Sequence, residues 1–209
     1  MTGKAHVPSE FLSQSRAQPS PAAPRAHRLA DIGRAAASGD EGALEKLLRA
    51  LAPDMLRIIR TVLGPRHADT DGLLHDCVLG FISALGQLPN DGSVSVAALT
   101  IAFRRAMAVQ HKQRQIGLGA PRTPGPEPFP EIEHRRALIA NLLQTLPPPQ
   151  AETLGLRTVV GLTVDEIARV MDVSATTVRG RLRVAKESLS AALLRDPELG
   201  ALFAMEPAS

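Results

Sequence analysis

The chain has 209 residues, 44% of them hydrophobic, and 24 Lys and Arg against 21 Asp and Glu, for a formal net charge of +3. That is ample for one or two folded domains with real cores, and the single cysteine, Cys77, rules out an internal disulfide framework. No apolar run approaches bilayer length and residues 1–27 lack the apolar centre of a secretory signal, so a protein of a reducing, cytosolic compartment without membrane insertion is expected.

Residues 1–27 carry Pro8, Pro19, Pro21 and Pro24 among small polar residues and are expected to be a disordered leader. From Leu29 the pattern becomes helical. Leu44, Leu47, Leu48, Leu51, Met55, Ile58, Ile59 and Val62 predict helices near 29–38 and 40–63, with Pro53 marking either a kink or the first turn of a new helix. Gly64-Pro65 ends that run. Leu73, Leu74, Cys77, Val78, Phe81, Ile82, Leu85 and Leu88 then trace a further apolar face, with Cys77 expected to fill a helix core. After a turn at Asn90-Asp91-Gly92, a helix near 94–115 points Leu99, Phe103 and Ala106 inward and gathers Arg104, Arg105, His111, Lys112 and Arg114 toward its basic end.

Between Gly117 and Pro130 five prolines and three glycines forbid regular helix, so residues 116–130 read as a semi-extended tether between a domain at 28–115 and another at 131–193. Ile132, Ile139, Leu142, Leu143 and Leu146 predict the first helix of the second domain, ended by Pro147-Pro148-Pro149. A helix over Gln150–Val160 comes next. A tail over 194–209 follows the second domain, with one short apolar turn around Leu199, Leu202 and Phe203. The fold class is therefore all-α: two small helical domains joined by a Pro/Gly-rich linker.

Residues 161–190 hold the most informative pattern. The capping box Thr163-x-x-Glu166 opens a short helix with Ile167, Ala168 and Met171 inward and Val164 just inside the cap. Asp172-Val173-Ser174 supplies a turn. Ser174 is placed to cap a second helix whose Val178, Leu182, Ala185 and Leu189 recur at helical spacing. Arg179, Arg183 and Lys186 occupy the outer face with Arg181 beside them, while Ser174, Thr176 and Thr177 stand at the amino-terminal end. From Ser174 to Leu189 there are four cations and one anion, Glu187, so much of the chain's net positive charge is concentrated here. A helix-turn-helix with a basic second helix points to duplex DNA, the amino-terminal end of that helix entering the major groove. Aromatic content is 2%, all Phe, which argues against holding single strands on stacking platforms.

Leu146-Pro147 to Gln150, Gly161-Leu162-Thr163 to Glu166-Ile167-Ala168, and Val173-Ser174 to Thr177-Val178-Arg179 and Arg181-Leu182 together resemble domain four of bacterial extracytoplasmic-function sigma factors. The resemblance implies that Arg179, Arg181, Arg183 and Lys186 meet the upstream promoter element. Residues 29–115 are similar to sigma domain two, which implies polymerase binding by Asp69, Asp71 and Asp76 and a downstream DNA contact from Arg104, Arg105, Lys112 and Arg114. Implied partners are core RNA polymerase, double-stranded promoter DNA and an anti-sigma factor; no cofactor or metal is implied.

Domain two departs from that pattern. Gly72-Leu73-Leu74-His75-Asp76 stands where the family has an acid followed by Leu-Val-Gln-Glu, and Ala98 and Arg104-Arg105 replace its Trp and Arg-Asn pair. Two readings stay open: a transcription initiation factor, and a sigma-like DNA-binding or polymerase-binding regulator that does not melt promoters. His75-Asp76 also spells a phosphohydrolase dipeptide, with His67 and Asp91 as further ligands on paper. Adjacent helical residues diverge by about 100°, and no nucleophile or phosphate loop accompanies them, so an enzyme is not expected.

Overall fold

The computed structural model describes residues 22–65, 67–88, 94–115 and 146–195. Every regular element among them is helical. The leader up to residue 21, the turn at Asn90-Asp91-Gly92, the linker 116–130, the helix expected from Ile132 to Leu143 and the tail from residue 196 lie outside the described residues.

Helix α1 spans Ala22–Ala37 and so begins inside the segment expected to be disordered. Pro24 is compatible with this start, because it falls in the first turn, where backbone N–H groups have no helical acceptor. Helix α2, Glu41–Leu63, is capped by Asp40, whose Oδ1 accepts from the Ala43 amide at 2.9 Å. It runs through Pro53, which therefore opens no new helix, and it buries Leu47, Leu51, Met55, Ile58, Ile59 and Val62 along one stripe. Helix α3, Thr70–Leu85, buries Leu73, Cys77, Phe81 and Leu85 at intervals of four. Helix α4, Val94–Gln115, turns Ala98, Ala102, Phe103 and Ala106 into the same core. Leu99, expected among its inward residues, is only partly buried, and the alanines lie deepest.

Side-chain amides tie the far end of α4 back to the α2–α3 connection. Gln110 Nε2 donates to the Val62 carbonyl at 3.1 Å, and the Gln113 amide lies 2.7 Å from Nε2 of His67. The other ring nitrogen of His67, Nδ1, accepts from the Asp69 amide at 3.3 Å. Both nitrogens of His67 thus have partners inside the fold. Burial pushes the Cys77 thiol up to about 11, against a smaller opposing pull from Arg105, so it stays a neutral apolar filler.

The carboxyl-terminal group comprises α5 (Pro148–Gly155), a π-helical turn (Leu156–Val160), α6 (Val164–Met171) and α7 (Ala175–Arg195). Pro148 and Pro149 lie in the first turn of α5 rather than before it, so the helix starts two residues earlier than expected from Gln150. The fixed φ of proline suits that turn, and the missing N–H costs nothing there. Leu146, Ala151, Leu154 and Ala185 form a small core between α5 and α7.

The π-helical turn ends at Gly161, whose φ of +85° is the left-handed conformation that closes a helix, and the Leu162 amide then bonds back to the Leu156 carbonyl at 3.0 Å. A Cβ at Gly161 would have no atom within 4 Å, so the cost of a side chain there is purely conformational. Gly161→Ala is expected to destabilise the chain by about 1 kcal/mol or slightly more, with an unchanged slope in urea unfolding.

Candidate nucleic-acid interface

Helices α6 and α7 are each started by a side-chain cap. Thr163 Oγ1 accepts from the Glu166 amide at 3.2 Å while Glu166 Oε2 accepts from the Thr163 amide at 2.7 Å, the reciprocal pair expected from the sequence. Helix α6 then stops at Asp172, the one non-glycine residue with positive φ among the described residues (φ 51°, ψ 51°). Aspartate tolerates that conformation better than most residues. The Val173 amide bonds back to the Ala168 carbonyl at 3.0 Å, and Ser174 Oγ accepts from the Thr177 amide at 3.0 Å to start α7. Ile167 of α6 and Val178 of α7 are fully buried, with Ala168, Met171 and Leu182 partly buried around them. Ala185 is buried in the α5–α7 core, whereas the side chain of Leu189 lies outside the described residues.

This packing fixes which side of α7 faces out. Thr176, Thr177, Arg179, Arg183 and Lys186 are exposed, and Ser174 is exposed at the cap. The Thr177 hydroxyl lies 2.8 Å from Ser174 Oγ, which leaves Thr176 as the freer hydroxyl at this end. Arg183 pairs with Glu187 at 2.8 Å along the helix. Arg181 stands apart from the others: at about 100° per residue it lies about 200° round from Arg179. Instead of standing beside the outer cations it is half-buried, with its guanidinium 3.9 Å from the Met171 sulfur.

The basic end of α4 divides in the same way. Arg104 reaches across to the carboxyl-terminal group, its Nε donating to Glu152 at 2.7 Å and its Nη2 to the Val170 carbonyl at 3.4 Å. Arg105 lies over Gly80 of α3, where a Cβ would come within 2.7 Å of its guanidinium. Lys112 is exposed, and the side chain of Arg114 is outside the described residues. On α3, Asp69, Asp71, His75 and Asp76 are all exposed, and Asp69 makes no side-chain cap bond although it stands at the helix start. Leu79, half exposed, lies one turn from Asp76 on this outer face. It escaped the sequence reading because it falls off the stripe formed by Leu73, Cys77 and Phe81.

Residues 136–189 match the family model of sigma-70, region 4. That stretch of the chain is similar to sigma-70 region 4. No curated protein matches it by sequence. Among solved structures, CnrH in complex with the cytosolic domain of CnrY is similar in fold, at 23% identity and a TM-score of 0.59 over 80% of this chain and 97% of that one. Among the described residues no helix is long and apolar enough to cross a membrane, and no group of three or more His, Cys, Asp and Glu is placed to hold a metal ion.

Region 4 is seated against α4 through one aromatic ring. Phe103 is buried to 1% exposure, and Leu156, Leu162, Ile167 and Val178 of region 4 share a single apolar core with α1–α4. The ring ends on bare backbone at Gly155, where a Cβ would stand 2.7 Å from Cε2 and still nearer Cζ. Glycine inside a helix is unfavourable by roughly 0.5–1 kcal/mol relative to alanine. What it gives in return is the close approach of Phe103. Gly155→Ala is therefore expected to strengthen α5 locally yet displace the ring, and solution scattering of the variant should show a larger radius of gyration than the wild type. An unchanged radius would show that the seat tolerates the methyl group.

Proposed function

We propose that the chain is a transcription initiation factor of the extracytoplasmic-function group, which binds core RNA polymerase and directs it to specific promoters through α6 and α7. The observation that carries this reading is the capped helix-turn-helix from Thr163, with its turn at Asp172–Ser174, which orients Thr176, Arg179, Arg183 and Lys186 outward together within a region that matches sigma-70 region 4. Thr and Arg at the amino-terminal half of such a helix suit base edges in the major groove, and cations further along suit phosphates.

Mutations should divide along that line. Arg179→Ala is expected to weaken binding to a target duplex by roughly 1–3 kcal/mol while sparing random duplex. Lys186→Ala should weaken both about equally and reduce the salt dependence by about one unit of slope. Arg181, turned toward Met171, should act partly through stability, so Arg181→Ala is expected to lower the melting temperature as well as affinity. Fluorescence anisotropy on both duplexes across a salt series, beside a thermal melt, checks all three.

The polymerase-binding assignment rests on the exposed acids Asp69, Asp71 and Asp76, with exposed Leu79 one turn beyond Asp76. An apolar residue flanked by charge suits an interface, and the charges chiefly accelerate docking. Joint replacement of the three acids by Asn is expected to slow association with core polymerase and to remove most of its salt dependence, with DNA contacts of α7 untouched. Leu79→Ala should instead speed dissociation. The fold neighbour CnrH was solved with a second protein bound, the cytosolic domain of CnrY, and an anti-sigma factor is a further partner within this reading.

A sigma-like regulator that does not open DNA is the second reading, and one observation favours it. Both described phenylalanines, Phe81 and Phe103, are buried, and Ala98, which stands where the resembled family has Trp, is fully buried too. Base capture by α4 thus has no aromatic platform among the described residues, and its contribution falls to Arg104, Arg105, Lys112 and Arg114 on phosphates. Because Arg104 is engaged with Glu152, its contact to DNA has to displace that carboxylate. Permanganate footprinting of the reconstituted holoenzyme on a target promoter decides between the readings. Reactive thymines that vanish when Arg104 and Arg105 become Ala support the initiation factor; a duplex that stays closed with wild-type protein supports the regulator.

A further inference from the structure

At most of the glycines inside the described helices a side chain stands where a Cβ would go. A Cβ at Gly33 would lie 2.7 Å from Val94, at Gly72 2.6 Å from Asp69, and at Gly80 2.7 Å from Arg105. At Gly155 it would run into Phe103. In each case a neighbouring side chain fills the space that a larger residue would take. Gly180, in the interior of α7, is different: a Cβ there would meet nothing within 4 Å. No internal packing calls for glycine, and helix propensity argues against it.

The position of Gly180 identifies what lies outside. Counted at about 100° per residue, Gly180 lies about 200° from Val178, the buried anchor of α7, so it is on the outward side of the helix, partly exposed between longer side chains. Thr176 stands one turn before it and Arg183 one turn after, both exposed, with Arg179 adjacent. A helix lying in the major groove with this face inward would bring Gly180 closest to the base-pair edges, and a side chain there sets how deep the helix can sit.

We infer that Gly180 is a specificity-determining residue of the DNA interface, its bare backbone admitting a base-pair edge that fills the space left open in the free chain. This rests on the reading of α7 as a DNA-recognition helix. Loss of the side chain is thus compensated in the complex rather than in the fold. Thr176 and Arg183 reach the bases because the helix axis lies lower between them. The same argument accounts for the open space at Gly180 and the filled space at Gly33, Gly72, Gly80 and Gly155.

The test is Gly180→Ala in the full chain, assayed with and without core polymerase. Duplexes are first enriched from a randomised pool with wild-type protein, and both proteins are then measured on the enriched duplex and on random duplex at one salt concentration. The variant should melt roughly 2–4 °C higher, because alanine favours the helix. It should bind the enriched duplex at least about tenfold more weakly, with less than about a twofold change on random duplex. Enrichment repeated with the variant should return altered bases at one or two adjacent positions. Undiminished affinity for the enriched duplex with the same preferred bases overturns the inference, and so does an equal loss on both duplexes, which assigns the glycine to phosphate approach. If wild-type protein enriches no sequence, the recognition-helix reading itself fails and the inference falls with it. That outcome is visible before any variant is made.

Discussion

The ring of Phe103 against the backbone of Gly155 is the contact on which the arrangement of the whole chain turns. It joins two groups of helices that are far apart in sequence into one apolar core, with Leu156 and Ile167 on one side and Met55, Ile59 and Ala106 on the other. Aromatic burial is worth several kcal/mol when a ring is fully removed from water, and no polar contact between the groups approaches that. The ion pair from Arg104 to Glu152 is partly solvated, with side chains 48% and 31% exposed, and pairs of that kind are worth roughly 0–1 kcal/mol. Arg104 therefore orients the docking, and Phe103 supplies its strength.

The two faces proposed for macromolecular partners lie on different helices and carry opposite charge. The exposed acids belong to α3 and its start, and the outward cations to α7. Arg105 is drawn toward α3, where it lies over Gly80 and beside Cys77, and so blunts the acidity on that side. Arg183 is held along α7 by Glu187, an anion on a face otherwise suited to phosphate. An ion pair within one exposed helix is weak, and a phosphate can displace the carboxylate at little cost. Glu187 is thus better understood as fixing the direction of Arg183 before binding than as opposing DNA.

What could be read from the sequence was what is decided locally. The capping box at Thr163 and Glu166, the serine cap at Ser174 and the stripe through Val178 are each set within a few residues, and the structure has all of them. One boundary shifts for an equally local reason: the helix after the proline run starts at Pro148 rather than Gln150, because proline is at home in a first turn. Other features were beyond any local pattern. Nothing near Arg104 announces Glu152, which is 48 residues away, and nothing near Gly155 announces Phe103. Arg181 was grouped with its neighbouring arginines by sequence proximity, whereas the helical turn carries it round to Met171. The outward cations of α7 were thus legible as a group, but not the turn of Arg181 away from them.

Docking of region 4 on α4 has a thermodynamic consequence for the proposed function. The closed arrangement engages Arg104 at both Glu152 and the Val170 carbonyl. If only the separated form presents Arg104 to DNA, its population sets the apparent affinity: ten per cent of open chain reduces it about tenfold. Any partner that binds α4 or region 4 only when they are apart shifts that population in proportion to its own affinity. Polymerase and promoter would then act cooperatively on this chain without touching one another, through the single equilibrium that Phe103 and Gly155 define.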